Sequence, residues 1–183
     1  MRRLRAECPW KQEQTHRSLA RYLLEETHET LEAIDTGDAT GDWDLLREEL
    51  GDLLLQVYFH AVIAEESGSF SIDDVARGIT EKMYRRNPHV FGPSSEDPPV
   101  DAAAVNEVWQ AIKERDKPRA SHTDGLPDTL PALLYAAKAL ERGGSAPTEP
   151  ADLGDRLLEL VAEAVGEGID PEQALRDSVR RRG

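Results

Sequence analysis

Trp43-Asp44-Leu45-Leu46-Arg47-Glu48-Glu49-Leu50-Gly51-Asp52-Leu53-Leu54-Leu55-Gln56-Val57-Tyr58-Phe59-His60-Ala61-Val62-Ile63-Ala64-Glu65-Glu66 is the stretch whose reading decides the fold. It contains no proline and is closed by Ser67-Gly68, the punctuation that ends a long helix. Its later half, Leu53 to Ala64, is apolar on nearly every side, which predicts burial against partners all round.

Upstream, Thr15 to Asp35 has helical periodicity, with Ala20, Leu24, Thr27, Leu31 and Ile34 on one stripe and Glu25, Glu29 and Glu32 opposite. Thr36 to Asp42 reads as a turn from its Gly and Asp content, and Met1 to Gln14 as a loop or helix lead-in. Downstream, Ser71 or Asp73 can cap a third helix that runs to about Arg86 and stops at Asn87-Pro88. Gly92 to Pro99 reads as a loop, Asp101 to Arg115 as a fourth helix, and Asp116 to Pro131 as a linker. A short helix near Pro131 to Arg142, a Gly- and Pro-rich break at Gly143 to Pro150 and two weaker helices complete the chain. Few β-branched runs alternate with period two, so the expected class is all-α: a bundle of four to five main helices, completed by oligomerisation.

Composition narrows the function. The 183 residues carry a formal charge of −14, from 22 basic and 36 acidic side chains. A field of that sign disfavours nucleic-acid polymers and anionic membranes as partners. Cys8 is the only cysteine, which excludes an intrachain disulfide and a thiolate zinc cluster. No apolar run approaches the ~18 residues of a membrane span, and the N-terminus lacks a signal-peptide core, so a cytoplasmic location is expected.

Chemistry concentrates in carboxylates. Glu26 with Glu29, and Glu49 with Asp52, stand three residues apart and share a helix face within each pair; Glu25 lies beside the first. Two antiparallel helices joined by a short turn can bring these pairs together. Carboxylates gathered in this way repel one another, and a hard divalent cation with oxygen ligands is the natural counter-charge. Asp52 is the least easily explained as a solvated surface charge, because apolar turns follow it. Gly51, inside the helix, suggests close approach by another group or by a packed helix.

Lys82 and Arg86 stand four apart on one face, as do Trp109 and Lys113, and such cations and rings suit phosphate oxygens and a base. His60 and His89 read as structural. Neither a Walker-type glycine loop nor GxGxxG is present, so a glycine cradle for phosphate is not available.

Glu25-Glu26-Thr27-His28-Glu29 followed by Glu49-Leu50-Gly51-Asp52 resembles the EExxE…ExxD signature of the MazG-type nucleoside triphosphate pyrophosphohydrolases. Cys8-Pro9-Trp10-Lys11-Gln12-Glu13-Gln14-Thr15-His16 is similar to that family's lead-in, with Lys11 where Asp is usual. Arg85-Arg86-Asn87-Pro88-His89-Val90-Phe91 and Trp109-Gln110-Ala111-Ile112-Lys113 resemble two further segments, in the same order. The resemblance implies an all-α enzyme that hydrolyses nucleoside triphosphates to monophosphate and pyrophosphate, with Mg²⁺ as cofactor and Mn²⁺ as a substitute. It implies Glu26, Glu29, Glu49 and Asp52 as metal ligands, Glu25 or Glu26 as the base, and Lys82, Arg86, Trp109 and Lys113 as nucleotide contacts. It also implies a homo-oligomer, a dimer or a tetramer, with house-cleaning of aberrant nucleotides as the role.

Residues 1–120 are then the catalytic domain, and 121–183 a linker and the degenerate remnant of a second helical unit. The basis for the remnant is Leu153-Gly154-Asp155-Arg156-Leu157, which echoes Leu50-Gly51-Asp52-Leu53-Leu54 without a glutamate-rich helix before it. Two other readings stay open at this point. One is a narrow-substrate all-α pyrophosphohydrolase acting on dUTP or a phosphoribosyl nucleotide, and the other is a non-enzymatic helical interaction module.

Overall fold

Thr15 starts the first long helix by a reciprocal cap: its side chain accepts from the Ser18 amide while the Ser18 hydroxyl oxygen accepts from the Thr15 amide. The computed structural model describes residues 1–92, 101–116 and 120–183, apart from the side chains of Lys113 and Glu114. Its elements are α1 (Arg2–Glu7), α2 (Pro9–Glu13), α3 (His16–Thr40), α4 (Asp44–Glu66), α5 (Ile72–Arg86), α6 (Pro88–Phe91), α7 (Ala102–Asp116), α8 (Ala132–Glu141), α9 (Leu153–Gly166) and α10 (Pro171–Arg180). The class is all-α, with no strand among the described residues. Residues 93–100, which hold most of the expected loop at Gly92 to Pro99, lie outside them.

The chain divides into two units, Met1–Val105 and Asn106–Gly183. In the first, α3 and α4 form an antiparallel hairpin: Gly37 meets Trp43, Glu26 meets Gln56, and His16 meets His60. These pairs close on one another as one helix rises and the other returns.

Two expectations are corrected here. The turn does not begin at Thr36, because α3 runs through Gly37 to Thr40 and ends at Gly41, whose φ of 77° is the left-handed cap that glycine adopts without strain. The stripe of Leu24, Leu31 and Ile34 does not face α4; these side chains are exposed, and the packed face carries Leu19, Thr30, Ala33 and Gly37. Small residues there let the two helices approach closely, and that requirement outweighs the larger apolar area of the other stripe. Leu53 to Ala64, expected to need partners beyond this chain, is covered within it on one side only. Gln56, Phe59, Ala61, Val62 and Ala64 are buried, whereas Leu50, Leu54, Val57 and Tyr58 are exposed. A Cβ at Gly51 would likewise meet nothing within 4 Å, so no group of this chain approaches it closely.

The residues before Thr15 form α1 and α2, tied to the far end of α4. Arg2 donates to Glu65, and Arg5 donates to Glu66 and to the carbonyl oxygens of Lys11 and Gln14. Ser71, rather than Asp73, caps α5, in a reciprocal box with Asp74.

The second unit holds the later part of α7 with α8, α9 and α10, and buries Ala137 and Val161. Asp152 and Asp170 cap α9 and α10. Asp155 stands in the first turn of α9, where its carboxylate accepts from the Ala151 amide. Asp52 lies instead in the interior of α4, so the two echoed aspartates occupy different settings.

Candidate active site

The hairpin register decides where the acids meet. Glu26 lies on the packed side of α3, and Glu49 and Asp52 stand three residues apart on α4, facing it. One carboxylate oxygen from each of these three half-buried residues lies within 4.8 Å of the other two. Glu29, also expected among the ligands, is outside this tight group and exposed, but close enough for its charge to act on both Glu26 and Glu49. Glu25 is exposed on α3 and outside the group.

Electrostatics record the crowding. Burial first, then the charges of Asp52 and Glu29, with a lesser push from Glu49, hold the Glu26 carboxyl above the usual carboxylate range; a hydrogen bond from Gln56 opposes the rise. Glu49 is raised by burial, then by Glu29, Asp52 and Glu48. Protons are therefore bound more readily at this point of the fold than on free carboxylates, and a cation would compete with them for the same oxygens.

The donor set suits a hard divalent ion. An octahedral Mg²⁺ with bonds of about 2.0–2.1 Å holds its ligand oxygens roughly 2.9–4.2 Å apart. Small rotations of the three side chains cover the difference from 4.8 Å. Beside Glu26, the buried Gln56 leaves its Oε1 without a hydrogen-bond partner. Unsatisfied buried polar atoms are rare in folded proteins.

Of the expected nucleotide contacts, Lys82 is exposed and Arg86 half-buried, four residues apart on α5 of the same unit. Trp109 is half-buried on the part of α7 that belongs to the second unit. The side chain of Lys113 lies outside the described residues. Sequence reasoning passed over Gln56 and the pair His16–His60, whose Nδ1 atoms meet at 2.8 Å. The signal for Gln56 was its spacing: a lone amide in an apolar run, one helical turn after Asp52.

Residues 14–91, which span α3 to α6 and all three clustered carboxylates, match the family model described as the MazG nucleotide pyrophosphohydrolase domain. A Thermotoga maritima protein named nucleoside triphosphate pyrophosphohydrolase/pyrophosphatase MazG is 36% identical over 203 residues, covering 95% of this chain and 75% of that one.

The chain belongs to the MazG family.

An Escherichia coli K12 protein named nucleoside triphosphate pyrophosphohydrolase is 40% identical over 166 residues, or 87% of this chain and 60% of that one. An uncharacterized 26.1 kDa protein of Streptomyces cacaoi is 44% identical over 185 residues, 96% of this chain and 74% of that one. The chain thus spans less than two thirds of the Escherichia coli relative and about three quarters of the Thermotoga and Streptomyces ones. Family membership makes this an enzyme domain of the nucleoside triphosphate pyrophosphohydrolase class, and the interaction-module reading is set aside. The MazG match ends at Phe91, so it takes in Lys82 and Arg86 but not Trp109 or Lys113.

Proposed function

We propose that this chain hydrolyses nucleoside and deoxynucleoside triphosphates to the monophosphate and pyrophosphate, with Mg²⁺ held by Glu26, Glu49 and Asp52. The observation that carries the reading is the three-carboxylate group within the stretch that matches the MazG model. Glu29, exposed beside it, serves as a further ligand or an outer-sphere acceptor when substrate is bound.

Bound Mg²⁺, or Mn²⁺ in its place, would neutralise phosphate charge and acidify a water molecule. The protein's own groups do the rest. A water oxygen attacks at the α–β linkage, the bond between phosphorus and the departing pyrophosphate breaks, and one proton of the water passes to a carboxylate. Glu26 takes that proton only where it is not itself bound to the cation, because a metal-bound carboxylate loses its proton affinity. Glu25, more exposed, is the alternative. Lys82 and Arg86 hold phosphate oxygens, and the family resemblance suggests Trp109 and Lys113 as further nucleotide contacts.

The working form is proposed to be a homodimer. Leu24, Leu31 and Ile34 on α3 and Leu50, Leu54, Val57 and Tyr58 on α4 are exposed, and that many large apolar side chains left open on one helix pair support a subunit contact. Residues 121–183 carry no second metal site in this reading, because Asp155 is engaged at a helix start and lies in no acidic group of the kind formed by Glu26, Glu49 and Asp52 among the described residues. We further propose a cytoplasmic house-cleaning role on aberrant nucleotides, which the family resemblance suggests. No helix among the described residues is long and apolar enough to cross a membrane.

The test is product analysis over a panel of ordinary and modified triphosphates, with Mg²⁺ and with EDTA. Pyrophosphate release that requires the metal supports the proposal, and turnover confined to dUTP would favour the narrow-substrate reading.

A further inference from the structure

The face of α4 that carries Glu49 and Asp52 continues with Gln56 and His60. Both of these side chains hold a buried polar atom without a hydrogen-bond partner, Oε1 of Gln56 and Nε2 of His60. Gln56 is only 5% exposed, and its Nε2 approaches Glu26 Oε1 at 3.5 Å. The Nδ1 of His60 meets the Nδ1 of His16 at 2.8 Å, with the ring planes within 3° of each other and the centroids 5.1 Å apart, so the two imidazoles lie edge to edge in nearly one plane.

The orientation of each group follows from its neighbour. An anionic Glu26 accepts hydrogen bonds only, so the Gln56 amide must turn its N–H towards it and its carbonyl oxygen away. That oxygen needs a donor. Two ring nitrogens 2.8 Å apart need one proton between them, so one imidazole donates and the other accepts. If His60 accepts at Nδ1, its own proton sits on Nε2, and Nε2–H is then a buried donor one helical turn from the buried acceptor on Gln56. A complementary pair of that kind is what an internal water molecule bridges.

We propose that His16, His60, Gln56 and Glu26 form one hydrogen-bonded file along the seam between α3 and α4, with a buried water joining His60 Nε2–H to Gln56 Oε1. Gln56 is thereby a positioning residue that holds Glu26 towards Glu49 and Asp52. Every donor in the file points towards the carboxylate, so each link polarises the next. The file also accounts for an amide in an otherwise apolar run, where a leucine would fill the seam without leaving a polar atom to satisfy.

This inference rests on the three-carboxylate metal reading, and its test separates the two. Mn²⁺ is the probe, followed by electron paramagnetic resonance on the full chain without substrate. Gln56→Met keeps the side-chain length and removes both donor and acceptor. It is expected to raise the Mn²⁺ dissociation constant about 10-fold or more, as for other partners outside the first coordination sphere. Its melting temperature should fall, because His60 Nε2–H loses its bridged partner; the discriminating readout is the Mn²⁺ dissociation constant, which a merely structural glutamine would leave unchanged. Should Gln56→Met fold poorly, His60→Phe breaks the file at its next link and is expected to weaken Mn²⁺ binding severalfold. In the wild-type chain, nitrogen NMR should find His60 as the Nε2–H tautomer. Unchanged Mn²⁺ affinity in a folded variant, or His60 as the Nδ1–H tautomer, overturns the file and leaves the metal site standing. Failure of the wild-type chain to bind Mn²⁺ overturns both.

Discussion

Trp43 occupies the space that a side chain on Gly37 would need. A Cβ at that glycine would run into Cε3 and Cζ3 of the indole and reach Cδ2 at 2.9 Å. The indole therefore lies against the last turns of α3, just where the chain reverses into α4. This contact helps to set the hairpin register, and the register brings Glu26 opposite Glu49 and Asp52.

Gly37→Ala should destabilise the protein by about 1–3 kcal/mol through overpacking. The change would otherwise gain close to 1 kcal/mol from helix propensity, so the sign is informative. Denaturant melts check it, and removal of the ring in Gly37→Ala/Trp43→Ala should restore the favourable sign for the alanine. A stabilised single variant would mean that the indole moves aside freely.

Arg5→Met should loosen α1 and α2 from the end of α4, at a cost of about 1–2 kcal/mol at neutral pH. The Arg5 side chain is only 12% exposed and donates to two backbone carbonyls as well as to Glu66. Hydrogen bonds from Arg2 and Arg5 hold the Glu65 and Glu66 carboxyls below their ordinary range. Groups with a lowered pKa stabilise the fold above the unfolded value and lose that contribution as pH falls through the folded one. The gap between wild type and variant should therefore narrow below about pH 4.3 without vanishing, since the carbonyl bonds do not titrate. Thermal melts across that range measure it; a gap independent of pH would show that Glu66 contributes nothing.

Leu54→Glu should convert the proposed dimer to a monomer. Light scattering on the wild-type chain is expected to give about twice the 20.4 kDa of one chain. The variant should approach the single mass while keeping its helical signal, because Leu54 is 54% exposed within the protomer. A wild-type chain that stays at 20.4 kDa at high concentration would contradict the assignment of the α3–α4 face.

How much of this was legible in the sequence differs between helix positions and helix faces. Caps and stops are local chemistry, so Thr15, Ser71 and Asn87-Pro88 delimit helices much as read. Gly37 misled because glycine and aspartate nearby resemble a turn, whereas the indole that makes glycine necessary lies six residues away. The faces of α3 were misassigned for a related reason. Hydrophobicity marks a stripe for burial, but within one chain the seam is chosen by close approach of small side chains, and the larger leucines are left outside. In the candidate site, Glu49 and Asp52 could be paired from spacing because i,i+3 geometry needs no tertiary knowledge. The same spacing pairs Glu26 with Glu29, which lies outside the tight group, and the meeting of Glu26 with α4 depends on the hairpin register. Gln56 and the two histidines could not be paired in this way, since their meaning lies in partners 30 and 44 residues distant.

The central claim, that Glu26, Glu49 and Asp52 hold the cation for pyrophosphate release, is met most directly by following both phosphate products from one triphosphate with wild type and Asp52→Asn. The account predicts monophosphate and pyrophosphate in equal amounts from the wild-type chain, abolished by EDTA and restored by Mg²⁺. Asp52→Asn should fold normally and lose more than about 100-fold in rate, above the range for outer-sphere partners. Orthophosphate with a diphosphate product, or wild-type turnover by a folded Asp52→Asn chain, would contradict it.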